Sequence, residues 1–178
     1  MKKFVAILRG INVAGSKPIK MDDLKKMFSD LKLKNVSTYI QSGNIFFESD
    51  ISDQKKLEGL ISNGILKVFK FEVPVIIRNS DELKVIIEKN PFLKEKNIDV
   101  TKLHVTFLSA IPDKTYINSI KETAYEPDRF IIKEREIYLY CPNGYGNTKL
   151  NNNFFENKLK LKATTRNWKT VLKLYELI

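Results

Sequence analysis

Cysteine, histidine and tryptophan each occur once in this sequence of 178 residues. Cys141 cannot form an internal disulfide bond, and with His104 as the sole histidine it cannot complete a zinc site of the usual cysteine and histidine type. Disulfide bonds mark oxidising compartments, so a lone cysteine favours a reducing, cytoplasmic setting. We therefore expect a cytoplasmic protein without a bound metal or other cofactor.

Long apolar segments are also missing. No stretch approaches the roughly 18 consecutive apolar residues that a membrane-spanning helix needs. The start, Met1-Lys2-Lys3, leads into a short alternating segment that lacks the long apolar run and the small-residue cleavage site of a signal peptide. We expect no signal peptide, no anchor and no membrane partner.

Arginine is scarce, although the chain carries a formal net charge of +10. Such a charge favours nucleic-acid binding, because lysine and arginine that neutralise phosphates release counterions. Yet only five of the 31 basic residues are arginine, and the lysines are spread along the whole chain. Arginine makes the bidentate contacts with phosphates and bases, whereas scattered lysines equally keep a surface soluble. Charge alone leaves both interpretations open.

The sequence does contain four polar signatures near the ends of predicted strands. They are Leu8–Val13, Tyr39–Asn44, Gly144–Lys149 and Thr164–Trp168. These signatures offer hydrogen-bond donors, positive charge and permissive glycines, but no carboxylate. Hydrolysis and group transfer near neutral pH usually need a tuned acid, base, metal or activated nucleophile. The signatures therefore favour binding over catalysis, and whether any reaction is catalysed stays open.

The candidates for ligand binding all belong to these signatures. They are Arg9, Asn12, Gln41, Ser42, Asn44, Tyr145, Lys149, Arg166 and Asn167. Arg166 is the residue that we most expect to contact a charged group. The alternative interpretation is structural, because buried amide side chains commonly satisfy backbone groups of long loops, and Arg9 would then pair with a carboxylate. For the candidates of the first half, the sequence favours neither interpretation over the other.

Hydrophobic periodicity predicts the element order β-α-β-β-α-β in the first half. The predicted strands are 2–9, 36–41, 45–49 and 73–78, and the predicted helices are 20–32 and 53–69. This is the order of a ferredoxin-like plait, in which the loop after the first strand and the turn of the central hairpin lie at the same end of the sheet. We therefore expect Arg9 and Asn12 to lie beside the Tyr39–Asn44 signature, in a pocket suited to a carboxylate or phosphate.

The second half repeats this order as far as its second helix, without a repeat at the level of residues. The predicted helices are 81–89, 114–122, 149–161 and 168–177, and the predicted strands are 103–109, 129–133 and 136–140. Ser80, Thr148 and Thr165 are the predicted N-caps in this half, because their hydroxyl groups can accept from the free N–H groups of a first helical turn.

The fold class that follows is α+β. We expect two ferredoxin-like (α-β plait) subdomains, each an antiparallel sheet with helices packed on it, and a C-terminal helix. The predicted boundaries are 1–79 for the first subdomain, 80–101 for a helical connector and 102–178 for the second subdomain with its C-terminal helix. The sequence does not indicate an oligomeric state.

The Gly144–Lys149 signature precedes the predicted helix 149–161. Its two glycines, Thr148 and a lysine in the first helical turn would suit a phosphate group. It is not a P-loop, because the spacing G-x-x-x-x-G-K-[ST] is absent. A plain turn with Thr148 as N-cap is the favoured interpretation.

In these motifs the chain resembles a family of small bacterial proteins, domain of unknown function family 1697. The resemblance is carried by Ala6–Val13, Tyr39–Asn44, Asn90–Phe92, Gly144–Leu150 and Ala163–Trp168. The family has two ferredoxin-like subdomains, so the resemblance implies the same fold here. It also implies family-typical residue types at Arg9, Asn12, Gln41, Ser42, Gly43, Asn44, Arg166 and Asn167. It implies no function.

We therefore predict a protein that binds an anionic ligand, either a nucleic acid or a nucleotide, through its polar glycine-containing loops. One alternative is an enzyme that acts on a small phosphorylated or carboxylated metabolite in the cleft between the subdomains. Another alternative is a protein-interaction module that uses exposed sheet edges.

Overall fold

A computed structural model describes residues 1–13, 15–41, 43–120 and 122–178, with the backbone alone at residues 122–123. The contacts divide the chain into two units, the first formed by Met1–Lys84 with Leu174–Ile178 and the second by Val85–Lys173. Each unit contains one four-stranded antiparallel sheet. The domain boundaries expected from the sequence stay a prediction.

The first sheet has the strand order β2-β3-β1-β4, so β1 is central and pairs with both β3 and β4. Its elements are β1 Lys2–Leu8, α1 Met21–Asp30, β2 Lys34–Tyr39, β3 Asn44–Ser49, α2 Gln54–Phe69 and β4 Val75–Asn79. This connectivity and strand order are those of the ferredoxin-like plait.

The core of the first unit lies between this sheet and its helices. Phe4, Ala6 and Leu8 alternate along β1 and are buried against residues of α1 such as Leu24 and Phe28. Alternate residues of a strand share one face of the sheet, so this set covers the helical side. Burying a phenylalanine or leucine side chain stabilises the fold by roughly 1.5–3 kcal/mol. The core therefore holds the end of β1, from which the candidate loop leaves, in a fixed position.

The second sheet has the equivalent order, β6-β7-β5-β8. The remaining helices and strands are α3 Ser80–Glu88, β5 Leu103–Leu108, α4 Lys114–Asn118, β6 Arg129–Lys133, β7 Glu136–Tyr140, α5 Asn152–Leu159, β8 Ala163–Asn167 and α6 Trp168–Leu177. Short 3-10 helices cover Pro91–Lys94, Val100–Lys102, Glu122–Tyr125 and Tyr145–Asn147. The α+β fold with two ferredoxin-like subdomains and a C-terminal helix is thus confirmed.

Two elements of the second unit differ from the prediction. The sequence analysis does not identify β8, because Ala163–Asn167 is short and mostly polar. The helix predicted from residue 149 begins at Asn152, because the side chain of Asn151 accepts a hydrogen bond from the Phe154 N–H at 3.0 Å. Thr148 is therefore not the N-cap, and its hydroxyl oxygen accepts instead from the Leu150 N–H at 3.0 Å.

Asparagine also replaces the predicted N-caps of α3 and α6. The Asn79 side chain accepts from the Glu82 N–H at 2.9 Å, and the Glu82 carboxylate accepts from the Asn79 N–H at 2.9 Å. This reciprocal pair is a capping box, so Ser80 is the first residue of α3 and not its cap. At α6 the Asn167 side chain accepts from the Thr170 N–H at 2.8 Å, so Thr165 is not the cap.

These caps reveal a repeat at the level of residues, which the sequence analysis does not find. Arg78 pairs with Val5 in the first sheet, and Arg166 pairs with Val105 in the second. Each arginine donates from Nη1 to the carbonyl oxygen of the preceding residue at 2.9 Å, and each is followed by a capping asparagine. The last strand of each unit therefore ends in an Arg-Asn pair in the same structural position.

Candidate ligand-binding site

Two loops meet at one end of the first sheet. The Leu8 N–H donates to the Gly43 carbonyl oxygen at 2.8 Å, and the Asn12 side chain donates from Nδ2 to the Gln41 carbonyl oxygen at 3.1 Å. The loop after β1 and the turn between β2 and β3 thus lie side by side, which is the juxtaposition that the plait topology predicts. We call these two segments, residues 9–20 and 40–43, the loop pair.

Asn12 fixes the shape of the longer loop. Its Oδ1 accepts from the Ile19 N–H at 2.8 Å, and its Nδ2 donates to the Ile19 carbonyl oxygen at 2.9 Å. At the tip, the Ser16 N–H donates to the Val13 carbonyl oxygen at 2.9 Å. Asn12 therefore performs the scaffolding role that the sequence left as an alternative, because its amide is already bonded to the backbone.

Left-handed backbone conformations are concentrated in the loop pair. The residues with positive φ there are Gly10, Asn12, Gly15, Lys17, Ile40 and Gly43. Ile40 has φ 53° and is 49% exposed, and a β-branched residue rarely adopts this conformation. Such strain costs on the order of 1–3 kcal/mol per residue, and it occurs preferentially at functional sites. The loop pair is therefore shaped at a cost in free energy.

Gly43 is the residue at which the two loops approach most closely. It has φ +84°, and a Cβ added there would lie 2.8 Å from Leu8 Cβ and 3.0 Å from Ile11 Cδ1. Both neighbours are fully buried, so they cannot move aside without disturbing the core. The turn therefore requires glycine both for its conformation and for space.

A pocket of about 470 Å³ opens beside the loop pair. Its walls come from the loop pair, from the start of α1 and from the last residue of α2. The lining residues are Asn12, Pro18, Ile19, Lys20, Met21, Asp23, Gln41 and Phe69. Volumes of roughly 300–1,000 Å³ are typical of small-ligand sites.

The positive end of α1 faces this pocket. Lys20 is the N-cap residue and is exposed, and its side chain makes no capping bond, so the first turn has no side-chain cap from its N-cap residue. Unbonded N–H groups at a helix start favour an anion. Asp22 is occupied by an ion pair with Lys25 at 2.7 Å, whereas Asp23 lines the pocket and adds negative charge to it. The pocket thus contains a cationic and an anionic group on the same helix end.

Two other candidates of the first unit, Arg9 and Asn44, do not line the pocket. Arg9 is half-buried, and its N–H donates to the Pro74 carbonyl oxygen at 3.1 Å. Asn44 is fully buried and donates to the Tyr39 carbonyl oxygen at 3.1 Å, which closes the hairpin. Ser42 lies outside the described residues. Of the candidates at this end, the structure brings Asn12 and Gln41 together at the pocket.

The candidates of the second unit are arranged differently. Lys149 is exposed and precedes α5, so the predicted placement of this lysine in the first helical turn is wrong. The glycine-containing segment forms a 3-10 turn at Tyr145–Asn147, in which the Asn147 side chain donates to the Asn143 carbonyl oxygen at 2.9 Å. Asn167 caps α6. These residues form turns and caps, and their role in ligand binding stays a prediction.

Arg166 and Tyr145 lie close to each other in the second unit. Arg166 donates from Nη1 to the Thr164 hydroxyl at 3.1 Å, and burial lowers the pKa of its guanidinium to about 10, a shift that Tyr145 opposes electrostatically. Arg166 therefore remains charged at neutral pH. The Tyr145 ring stacks on His104 with 4.9 Å between ring centroids. Arg166 also donates to the Thr165 carbonyl oxygen at 2.9 Å, and a contact with a charged ligand stays a prediction.

Sequence analysis missed several pocket residues. Lys20 and Asp23 belong to a predicted helix, where charged residues usually form a solvated face. Phe69 ends α2 and reaches the pocket through tertiary packing, which leaves no local signal in the sequence. A signal for Lys20 was present, because a helix that begins without Ser, Thr, Asp or Asn before it lacks a side-chain cap.

Comparison of the two units shows why the pocket belongs to the first. The Leu108 N–H donates to the Arg135 carbonyl oxygen at 2.8 Å, the equivalent of the bond between Leu8 and Gly43. The segment between β5 and α4, however, spans only residues 109–113, whereas residues 9–20 separate β1 from α1. The additional residues of the first unit build the pocket wall.

Within the described ranges, no group of three or more His, Cys, Asp or Glu side chains is arranged to hold a metal ion. Among these same residues, no helix has both the length and the apolar character that crossing a membrane requires.

Comparisons with known proteins agree with this architecture. A family model described as "Protein of unknown function (DUF1697)" matches residues 1–138. The motifs at 144–150 and 163–168 lie beyond the matched range, so their part of the resemblance stays a prediction. A solved structure of a conserved bacterial protein from Streptococcus pneumoniae is 20% identical with a TM-score of 0.77, over 99% of this chain and 98% of that one. No curated protein matches the chain.

Proposed function

The chain belongs to the DUF1697 family of proteins of unknown function, and we propose that it binds a nucleotide unit in the pocket beside the loop pair. The observation that carries the proposal is the composition of that pocket. It joins an uncapped, lysine-flanked helix start to an apolar wall, in a volume of about 470 Å³. A nucleotide has the matching division into an anionic phosphate and a flat, largely apolar base.

The phosphate end is assigned to the start of α1. The exposed side chain of Lys20 supplies a full positive charge, and the helix N-terminus adds roughly half a charge through its unbonded N–H groups. Lys17 does not contribute its amine freely, because Nζ donates to the Glu72 carbonyl oxygen at 2.6 Å. Lys20 is therefore the cation on which binding depends.

The base end is assigned to the apolar wall. Phe69 and Met21 are half-buried and line the pocket together with Pro18, so each presents some surface to a ligand. Stacking of a base on an aromatic ring contributes about 1–3 kcal/mol. Gln41 is exposed at the rim, where its side-chain amide can both donate and accept a hydrogen bond.

Asp23 restricts the orientation of the ligand. Its carboxylate repels a phosphate and accepts hydrogen bonds from hydroxyl or amino groups. A nucleotide satisfies both charges when its phosphate lies at Lys20 and its ribose hydroxyls or base amino group lie towards Asp23. An anion without donor groups does not complement the pocket in this way.

The test is an NMR titration of the ¹⁵N-labelled full chain with adenosine 5′-monophosphate, with adenosine and inorganic phosphate as matched partial ligands. We expect saturable shifts at the pocket amides, weaker binding of either fragment, and about tenfold weaker binding of the nucleotide to Lys20→Gln. Lys26→Gln is the matched control, because Lys26 is an exposed lysine of the same helix outside the pocket. Equal loss in both variants, or no saturable binding, would overturn the proposal.

Fluorescence anisotropy with labelled single-stranded RNA, single-stranded DNA and duplex DNA separates a free nucleotide from a nucleotide within a polymer. If the site serves a strand, single-stranded probes bind near physiological salt with a steep salt dependence, and the monophosphate competes with them. If the site serves a free nucleotide, the monophosphate binds more tightly than the strands do. Binding of all polymers at low salt alone, without competition, assigns the +10 charge to solubility and counts against the site.

A further inference from the structure

A second pocket, of about 640 Å³, lies entirely within the second unit. It opens between the 3-10 helix Pro91–Lys94 and the start of the edge strand β6. The lining residues are Phe92, Glu95, Glu126, Pro127, Asp128, Arg129, Phe130 and Ile131. None of the sequence signatures contributes to it, and it does not depend on the proposed nucleotide site.

Arg129, the single cation among the described lining residues, is already bound. The Arg129 guanidinium donates to both carboxylate oxygens of Glu95, from Nη2 at 2.8 Å and from Nη1 at 3.2 Å. It also lies over two aromatic rings, 5.1 Å from the Phe92 centroid and 5.0 Å from the Tyr140 centroid. Arg129 and Glu95 therefore neutralise each other, and Arg129 does not attract an anion to the pocket.

Two carboxylates remain after this pair is removed. Glu126 is exposed and Asp128 is half-buried, and among the residues that the structure describes neither forms an ion pair. Among the residues that the structure describes, no lysine lines the pocket, although the chain as a whole has 31 basic and 21 acidic residues. The pocket is thus a negatively charged region in a strongly basic protein, so its field favours a cation.

The other walls of the pocket are apolar. Phe92 and Phe130 are buried and form part of the lining, and Ile131 is half-buried. Pro127 adds an exposed apolar edge. A small inorganic cation would leave the exposed surface of Pro127 and Ile131 in contact with water, whereas a ligand with a hydrocarbon body would cover it.

From this combination we propose that the pocket binds an organic cation, a primary amine or guanidinium carried on an apolar body. The chain itself demonstrates the chemistry, because Arg129 is such a cation and is held at the same wall by a carboxylate and two aromatic rings. Glu126 and Asp128 repeat the carboxylate, and Pro127 with Ile131 supplies the apolar contact. The ligand amine lies between Glu126 and Asp128, and its apolar body lies against Pro127 and Ile131.

The test uses three small molecules of similar shape and different charge with the ¹⁵N-labelled full chain. They are 2-phenylethylamine, 2-phenylethanol and 3-phenylpropanoate. We expect the amine to give saturable NMR shifts at residues 126–131, the alcohol to bind at least tenfold more weakly, and the carboxylate not to bind at this pocket. If the alcohol binds as tightly as the amine, or if the shifts of the amine map elsewhere, the proposal is wrong.

Variants separate the charge effect from unfolding. Glu126→Gln and Asp128→Asn should each weaken amine binding about fivefold, and more in combination, because an exposed carboxylate contributes at most about that factor. Glu134→Gln is the matched control, since Glu134 is an exposed carboxylate in the hairpin turn of the same unit. All variants must keep the wild-type spectrum elsewhere. Unchanged amine affinity in the correctly folded double variant would overturn the proposal.

Discussion

The side-chain amide of Asn12 forms two hydrogen bonds with the backbone of Ile19, accepting from its N–H at 2.8 Å and donating to its carbonyl oxygen at 2.9 Å. Ile19 is buried and lies just before α1, so this pair connects the end of β1 to the start of the helix. A third bond reaches the Gln41 carbonyl oxygen at 3.1 Å. One side chain thus links the two segments of the loop pair that line the pocket.

Replacing Asn12 with alanine should destabilise the protein. The change removes three side-chain hydrogen bonds and leaves the Ile19 N–H without its acceptor, so we expect the free energy of unfolding to fall by about 2–3 kcal/mol. Urea denaturation followed by circular dichroism measures this difference.

Asn97→Ala is the control for the backbone conformation at Asn12. Asn97 also has positive φ, 66° against 54° at Asn12, but it is exposed and its side chain has no hydrogen bond among the described residues. Both variants place alanine in the left-handed region, so their difference isolates the hydrogen bonds. Equal destabilisation of the two variants would show that Asn12 does not hold the loop pair together.

Gly43→Ala should destabilise the protein more than Gly10→Ala. Both glycines have positive φ, +84° and +70°, so both variants incur roughly 1–2 kcal/mol for the left-handed conformation. An added Cβ at Gly10 meets no atom within 4 Å, whereas at Gly43 it meets Leu8 Cβ at 2.8 Å. We expect overpacking to add about 1–3 kcal/mol at Gly43. Thermal and urea unfolding of both variants measure the difference, and equal losses would contradict the close packing of the turn.

Most strands, and the position of the two loops of the loop pair beside each other, could be predicted because they follow from local sequence patterns and from the order of the elements. The apolar residues of Lys2–Leu8 predict a strand, and the order of elements then places Asn12 beside Gln41 through the topology of the plait. The polar sequence of Ala163–Asn167 shows no such apolar pattern, and its β-structure depends on pairing with β5. Strand formation there is a tertiary effect, so periodicity does not reveal it.

The pocket itself could be predicted only in part. Gln41 was found because its signature is polar and lies at a turn, but Phe69 is one apolar residue among many in α2. Its position at the pocket depends on how α2 packs on the sheet. The predictions of the helix N-caps were wrong for a different reason. A serine or threonine near each helix start is as plausible a cap in the sequence as Asn79, Asn151 or Asn167. The geometry of the backbone decides which of these side chains reaches the free N–H groups.

Cys141 should be unreactive in the native protein. It is fully buried, and burial together with the charge of Asp128 raises the pKa of its thiol to about 11, although a hydrogen bond with Thr148 opposes the shift. At pH 8 such a thiol holds about 100-fold less of the reactive thiolate than a thiol of the ordinary pKa near 9. We expect labelling by iodoacetamide to be at least that much slower than in urea-unfolded protein. Labelling at comparable rates would show that the second core opens readily.

His104 gives the protein a stability that depends on pH. Burial lowers its pKa below the ordinary 6.5, although the Lys102 carbonyl oxygen, 3.2 Å from Nδ1, opposes the shift. As the pH falls, the unfolded chain therefore binds a proton at a higher pH than the folded chain does. The free energy of unfolding should fall as the pH decreases from about 6.5 to the lowered pKa. Above about pH 6.5 the stabilisation that comes from neutral His104 is fully present. His104→Phe keeps a ring against Tyr145 and removes the titrating group, so the decline between pH 6.5 and the native pKa should be smaller than in wild type. Because the sequence has one histidine, NMR titration of its ring protons gives the native pKa directly, and a value at or above 6.5 would contradict the burial that the structure shows.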